Sequence, residues 1–354
     1  MNGSRYTGIP DADVETLLDR TLVELSGEIA SLDLPCLHAV VLGGGYGRGE
    51  GGVLHTPSGG KLYNDLDFFV FSQGADSSAA ARIDRALKEI SLRHEKVLNI
   101  AVDFGPVKNI ETLHRVSSTL MFQELLRGWL PVWGQAELEK WIPALEPASL
   151  PFSEAVRLLL NRGMGLIFAG EYLKNGRDDP DFIVRNMNKA ILGGGDALLI
   201  ASGCYTWHGR DRVAVFADFS AKEGLPPEWA FLYEKAFRWK LEPVPVLPDD
   251  PEHVWRGCRH FYLDCVCRCA GVPSGSPAVR VADGLHRRVR RERSVKNLLR
   301  WFLRAHRLPA AATVFDPPVV PVLGMLCGEL SASETFLTAS PRLRRSCTFN
   351  YKVT

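Results

Sequence analysis

No apolar run in this chain approaches the roughly 20 residues that a bilayer-spanning helix needs. The longest runs, such as ALLIA at 197–201, fall far short. Residues 1–20, MNGSRYTGIPDADVETLLDR, bring acids early and lack the apolar core of a secretory leader. A soluble, cytoplasmic protein with no membrane partner is therefore expected. An excess of one charge is missing too: 42 basic residues face 41 acidic ones, a formal net charge of +1. That balance gives no general pull toward nucleic acid, so any such affinity has to come from a local patch. Zinc-type cysteine pairs are also absent. Of eight cysteines, Cys36, Cys204, Cys327 and Cys347 are scattered, while Cys258, Cys265, Cys267 and Cys269 crowd one predicted helix without CxxC spacing. On that helix 258, 265 and 269 share a face and 267 points elsewhere, which suits small core-facing hydrophobes kept as reduced thiols. Glycines are plentiful, yet no Gly-Lys-Ser/Thr follows them and the full dinucleotide fingerprint is lacking. A Walker loop is thereby excluded. No internal repeat is present.

Hydrophobic residues at 46% and charged residues at 23% are the proportions of a globular chain, and 354 residues suffice for two domains. Residues 12–31 place Val14, Leu17, Leu18, Leu22 and Leu25 at helical spacing. Leu37 to Leu42 and Leu66 to Phe71 read as strands, 79–94 as a helix, Val97 to Phe104 as a third strand and 111–128 as a helix. WLPVWG at 129–134 reads as an edge strand, because Pro131 cannot donate to a central ladder. This order describes an α/β domain of α+β type with a short mixed sheet over residues 1–145, followed by the proline-bearing linker PALEPASLP at 143–151. Beyond it the spacing predicts helices over 153–174, 181–202, 226–239, 251–270 and 294–307, with VAVFADF at 213–219 a weak strand signal. An all-α helical-bundle domain over 146–309 is expected. Residues 310–354, with the basic patch Arg342, Arg344 and Arg345, are assigned no element.

The chemistry concentrates between Val41 and Phe71, VVLGGGYGRGEGGVLHTPSGGKLYNDLDFFVF. In a strand, Asp65 and Asp67 leave the same face about 7 Å apart, with Leu66 and Phe68 turned to the core. In NIAVDFG the same alternation sets Asp103 opposite Val102 and Phe104. If the two strands are neighbours, three carboxylates converge on one rim, where they repel one another unless a cation relieves them. Mg²⁺ favours a few carboxylates plus phosphate oxygens, and two metals in such a site suit phosphoryl chemistry. The turn Gly43 to Gly49 offers bare backbone N–H groups for phosphate, and Arg48 adds a charge-assisted contact. Together these predict a site that moves a nucleotide.

GG-Y-G-R-G-E, then D-L-D-F-F-V-F, then V-D-F, resembles the polymerase-beta-type nucleotidyltransferase superfamily, and the GGYGRGE wording is close to that of bacterial protein uridylyltransferases. The resemblance covers about residues 37–134. It implies a nucleotidyltransferase fold for residues 1–145, with Gly44 and Gly45 forming the turn against the triphosphate. Asp65 and Asp67 are then ligands of both Mg²⁺ ions, and Asp103 binds the catalytic metal and helps activate the acceptor. The implied reaction transfers a nucleoside monophosphate from an NTP, ATP being the expected one, to a hydroxyl acceptor on a small molecule or a protein, with release of pyrophosphate. One departure stands out. Residues 46–64 separate Gly45 from Asp65, longer than the family usually has, which reads as a hairpin or loop inserted near the site.

Similar enzymes pair this domain with a helical bundle, and there Lys189 is the candidate cation for the triphosphate, sharing a helix face with Asp196 and aided by Tyr205. Against it stands a solvated lysine with a helix-packing aspartate. Gly193 to Gly195 weaken this helix by about 1 kcal/mol each relative to alanine, so a bend or close packing is expected. His253 and His260 read as structural. The basic run HRRVRRERSVKNLLRWFLRAHR at 286–307 is either an RNA-binding surface or an amphipathic helix with a solvated arginine face. Two alternatives to the leading function are thus a nucleotide-binding regulatory module without turnover and an RNA-modifying nucleotidyltransferase.

Overall fold

A computed structural model describes residues 4–115, 118–292, 323–324 and 326–328. The expected helix at 294–307 and almost all of the 310–354 segment, Cys347 included, lie outside the described residues. In chain order the elements are α1 (Ala12–Ala30), β1 (Leu37–Leu42), the single turn α2 (Gly44–Gly47), β2 (Val53–Thr56), β3 (Gly59–Leu62), β4 (Leu66–Ser72), α3 (Ser77–Leu98), β5 (Val102–Phe104) and β6 (Lys108–Asn109). A 3₁₀ helix (Ile110–Arg115) precedes α4 (Leu120–Arg127), β7 (Leu130–Gly134) and α5 (Leu138–Trp141). The remaining helices are α6 (Phe152–Lys174), α7 (Pro180–Ser202), α8 (Gly209–Lys222), α9 (Pro227–Leu241), α10 (Pro251–Ala270) and α11 (Ala278–Glu292). The chain divides into two compact units, residues 1–145 with 238–243, and residues 146–237 with 244–354.

The first unit is built on a small mixed sheet in the order β5-β4-β1-β7, with β6 also pairing β4. β1 is antiparallel to both β4 and β7, whereas β5 and β6 run parallel to β4. β7 closes one edge, the position that Pro131 tolerates. One face of the sheet packs on α1 and α3. Asp11 caps α1 by accepting the Val14 N–H (3.0 Å), and Val14, Leu18, Leu22, Leu25 and Ile29 bury the resulting stripe against Val40, Leu42, Leu66, Phe68 and Val70. On the other face, Ala39, Val41 and Phe71 pack under Ile110, Leu113, Phe122, Leu125 and Leu138. β1 is apolar on both sides because both sides are covered.

Three expected elements differ from what is observed. The strand expected from Val97 begins only at Val102, because α3 continues to Leu98 and Asn99 ends it in the left-handed conformation (φ 54°). The helix expected over 111–128 is split, since Thr119 caps a new start at Leu120. VAVFADF lies inside α8, where Phe216 alone of the seven is buried, at helical spacing from buried Arg212 and Ser220.

The second unit is helical throughout its described elements. α7 runs unbroken through Gly193–Gly195, and these glycines serve close packing. A side chain at Gly193 would meet Arg162, one at Gly194 would lie 3.2 Å from Phe261, and one at Gly195 would lie 2.5 Å from Tyr233. The ring stack of Phe216 on Tyr233 (4.4 Å) and the tilted contact of Trp229 on Phe261 (4.7 Å) fill the same core. Cys258, Cys265, Cys267 and Cys269 are all buried and free, Cys267 with the others. Burial pushes the Cys258 and Cys269 thiols up to about 12, so they stay protonated. No helix among the described residues is long and apolar enough to cross a membrane.

Candidate functional site: a carboxylate rim beside a glycine turn

β4 carries its apolar and acidic residues on alternate faces. Leu66, Phe68 and Val70 point into the core under α1 and α3. On the opposite face the side chains run from exposed Asp67 through half-buried Phe69 to buried Phe71. The cover on that face ends at Phe69, which meets Phe122 of α4 edge-on (6.0 Å). Asp67 therefore emerges where the second layer stops, with Asp65 one step further out and also exposed.

β5 completes the rim. Its parallel pairing with β4 sets Asp67 directly opposite Asp103 and Phe68 opposite Phe104. Adjacent strands lie about 4.8 Å apart. Val102 is buried and Phe104 stacks on Phe68 (4.8 Å), so Asp103 is turned out on the face shared with Asp67. The ladder starts with the Leu66 N–H on the Ala101 carbonyl (2.9 Å) and ends with the Gly105 N–H on the Phe68 carbonyl (2.8 Å). The structure thus places Asp67 and Asp103 on one face of paired strands, with Asp65 exposed at the residue before β4. Among the described residues, no group of three His, Cys, Asp or Glu side chains is gathered closely enough to hold a metal ion.

The glycine turn abuts the same rim. The Gly43 N–H donates to the Asp67 carbonyl (2.8 Å), and Gly44 enters the left-handed region (φ +62°) with its α-carbon against the Asp67 side chain. A methyl group at Gly44 would collide with Asp67 Oδ2 and lie 3.0 Å from its carboxyl carbon. The donors on and beside this face are all carboxylate oxygens, the ligand type that a hard divalent cation takes, next to a turn whose space a Cβ would fill. Gly45 turns its carbonyl inward to accept the Glu50 N–H (2.9 Å).

Arg48 is held within the turn's own surroundings. Its guanidinium lies 3.8 Å from Glu50 and 3.5 Å from Glu124, and Glu50 in turn pairs with Lys240 (2.7 Å). Glu50 is buried, so this chain of charges ties the turn to α4 and to residues 238–243. Lys189 sits half-buried on α7 of the second unit. In that unit Asp196 accepts from the Tyr233 hydroxyl and lies 3.5 Å from Arg212, whose guanidinium also donates to Tyr205. Asp196 and Tyr205 therefore serve a polar core.

Sequence reasoning missed Tyr46. Its ring is fully buried, and its hydroxyl donates to the Gly52 carbonyl (2.9 Å) while accepting the N–H groups of Tyr63 (2.9 Å) and Asn64 (3.3 Å). The inserted stretch is a hairpin, β2 with β3, whose two ends Tyr46 joins. The only sequence signal was an aromatic amid glycines. Burial pushes the Tyr46 hydroxyl up to about 12; the two N–H donors act against this, and the nearby Asp65 charge adds to it. A folded-state value above the unfolded value near 10 contributes stability that is complete below pH 10 and is lost as pH rises toward 12. Thermal melts between pH 10 and 12 are expected to fall more steeply for the wild type than for Tyr46→Phe.

No family model matches this chain, and no curated protein matches it.

Proposed function

We propose that the first unit is a Mg²⁺-dependent nucleotidyltransferase of the polymerase-beta type, which moves a nucleoside monophosphate from an NTP, ATP first among them, to a hydroxyl acceptor. The observation that carries this reading is the in-register pairing of Asp67 with Asp103 on parallel strands, beside a glycine whose bare α-carbon lies on Asp67. Asp65, Asp67 and Asp103 are the residues that would hold the cation. When bound, Mg²⁺ supplies positive charge against the α-phosphate and the departing pyrophosphate.

The chain's own residues do the rest. Gly44 and Gly45 keep side chains away from the rim, so that the triphosphate lies on backbone. The acceptor oxygen forms a bond to the α-phosphorus, the bond from that phosphorus to the β-phosphate oxygen breaks, and pyrophosphate leaves with the electron pair. Asp103 accepts the acceptor's hydroxyl proton and passes it to solvent. Arg48, Glu50, Glu124 and Lys240 hold the turn in shape while this occurs.

A specific observation supports an RNA hydroxyl as the second reading of the acceptor. Arg280, Arg287, Arg290 and Arg291 are exposed along one face of α11, with Asp283 among them. Incubating the protein with each α-labelled NTP, Mg²⁺ and cell lysate, then identifying the labelled species by mass, tests both. Label on a small molecule or protein supports the first reading and label on RNA the second. Absence of label from every NTP contradicts both.

A further inference from the structure

The β2–β3 hairpin is a brace fixed at both ends. At its far end, His55 lies 4.0 Å from Asp11 and 3.6 Å from Glu242, and Gly60 packs on the Asp11 side chain. At its base, the Asn64 side chain accepts the Gly52 N–H (2.6 Å). The Tyr46 hydroxyl bridges the same two strands of chain, and its ring lies so close to Gly51 that no side chain fits there. A phenol has one donor and two acceptor sites, and here all three are used on the residues that enter and leave the hairpin. Tyr63 and Asn64, which it holds, immediately precede Asp65. Asp67 and Asp103 are instead fixed by the β4–β5 ladder.

We propose that Tyr46 is the positioning residue for Asp65: through the hairpin base it sets that carboxylate on the rim that Asp67 and Asp103 already define. The proposal rests on the nucleotidyl-transfer reading of the rim. Tyr46 touches none of the reacting atoms. It acts by placing the one acid that precedes the first ladder hydrogen bond of β4, and it links that acid to the glycine turn of which it is itself a part.

The test measures Mn²⁺ affinity by electron paramagnetic resonance on the full chain, for the wild type, Tyr46→Phe, Asp65→Asn, the double variant and His55→Ala. Partners that orient a metal ligand typically change affinity 10–100-fold. Tyr46→Phe is expected to weaken Mn²⁺ binding about tenfold, Asp65→Asn to weaken it at least as much, and the double variant to bind no worse than Asp65→Asn alone. Such non-additivity marks action through Asp65. His55→Ala, at the other end of the hairpin, is expected to bind as the wild type does. If folding of Tyr46→Phe is impaired, Asn64→Ala loosens the same joint from the other strand and is expected to show the same non-additivity with Asp65→Asn. Wild-type affinity in Tyr46→Phe, or losses that simply add, overturns the positioning role while leaving the rim intact. Wild-type affinity in Asp65→Asn overturns the metal-binding reading itself, and the proposal with it.

Discussion

Asp67→Asn is expected to abolish nucleotidyl transfer, lowering turnover by about 10²–10³ or more, while leaving the fold in place. Asp67 is exposed, and its backbone makes two contacts that hold the local fold. Its carbonyl accepts the Gly43 N–H, and its strand position pairs with Asp103. Neither depends on the carboxylate. Exposed substitutions away from packing contacts usually shift stability by no more than about 0.5 kcal/mol. Activity and melting temperature are therefore expected to separate, with transfer and metal-dependent nucleotide binding lost together at an unchanged melting midpoint. A labelled-nucleotide assay beside a thermal melt of the same preparation checks this.

Gly44→Ala has the second largest expected effect, by a different route. The left-handed backbone at Gly44 (φ +62°) penalises any L side chain by roughly 1–2 kcal/mol. The added methyl group also meets Asp67 Oδ2, the far end of a side chain that can rotate away. Relief of the clash displaces the carboxylate on which the proposed chemistry depends. A modest loss of stability with a loss of transfer nearly as deep as that of Asp67→Asn is expected. The sign is diagnostic: if Gly44→Ala unfolds the protein and restoring stability restores transfer, the glycine is structural only.

Local order was well marked in the sequence where a pattern is short and covered. Leu37–Leu42 follows from a short continuous apolar run that ends in glycines, and the start of β4 at Leu66 from alternation. The acids of the rim were legible for the same reason, since an aspartate between Leu66 and Phe68 has one face left to occupy. Val97 and Leu98 misled because their apolar character suits a strand or the end of α3 equally, and the left-handed Asn99 decides between them. VAVFADF carries β-branched and aromatic residues, yet the pattern of the whole α8 segment outweighs that short stretch.

Long-range contacts left no local trace. Lys240 reaches Glu50 across 190 positions of sequence, and nothing in either neighbourhood announces the pair. Of the carboxylates beside Arg48, Glu50 is only two positions away, but Glu124 comes from a separate segment that nothing near Arg48 announces. Tyr46 was hidden similarly, as its partners Gly52, Tyr63 and Asn64 become neighbours only once the inserted hairpin closes.

The most direct measurement of the central claim counts pyrophosphate released against nucleotide label transferred, with the acceptor found by the lysate screen, for the wild type, Asp67→Asn and Asp103→Asn. The carboxylate rim predicts one pyrophosphate for each label transferred by the wild type, and neither product from either variant. Equal transfer by the wild type and both variants would contradict it.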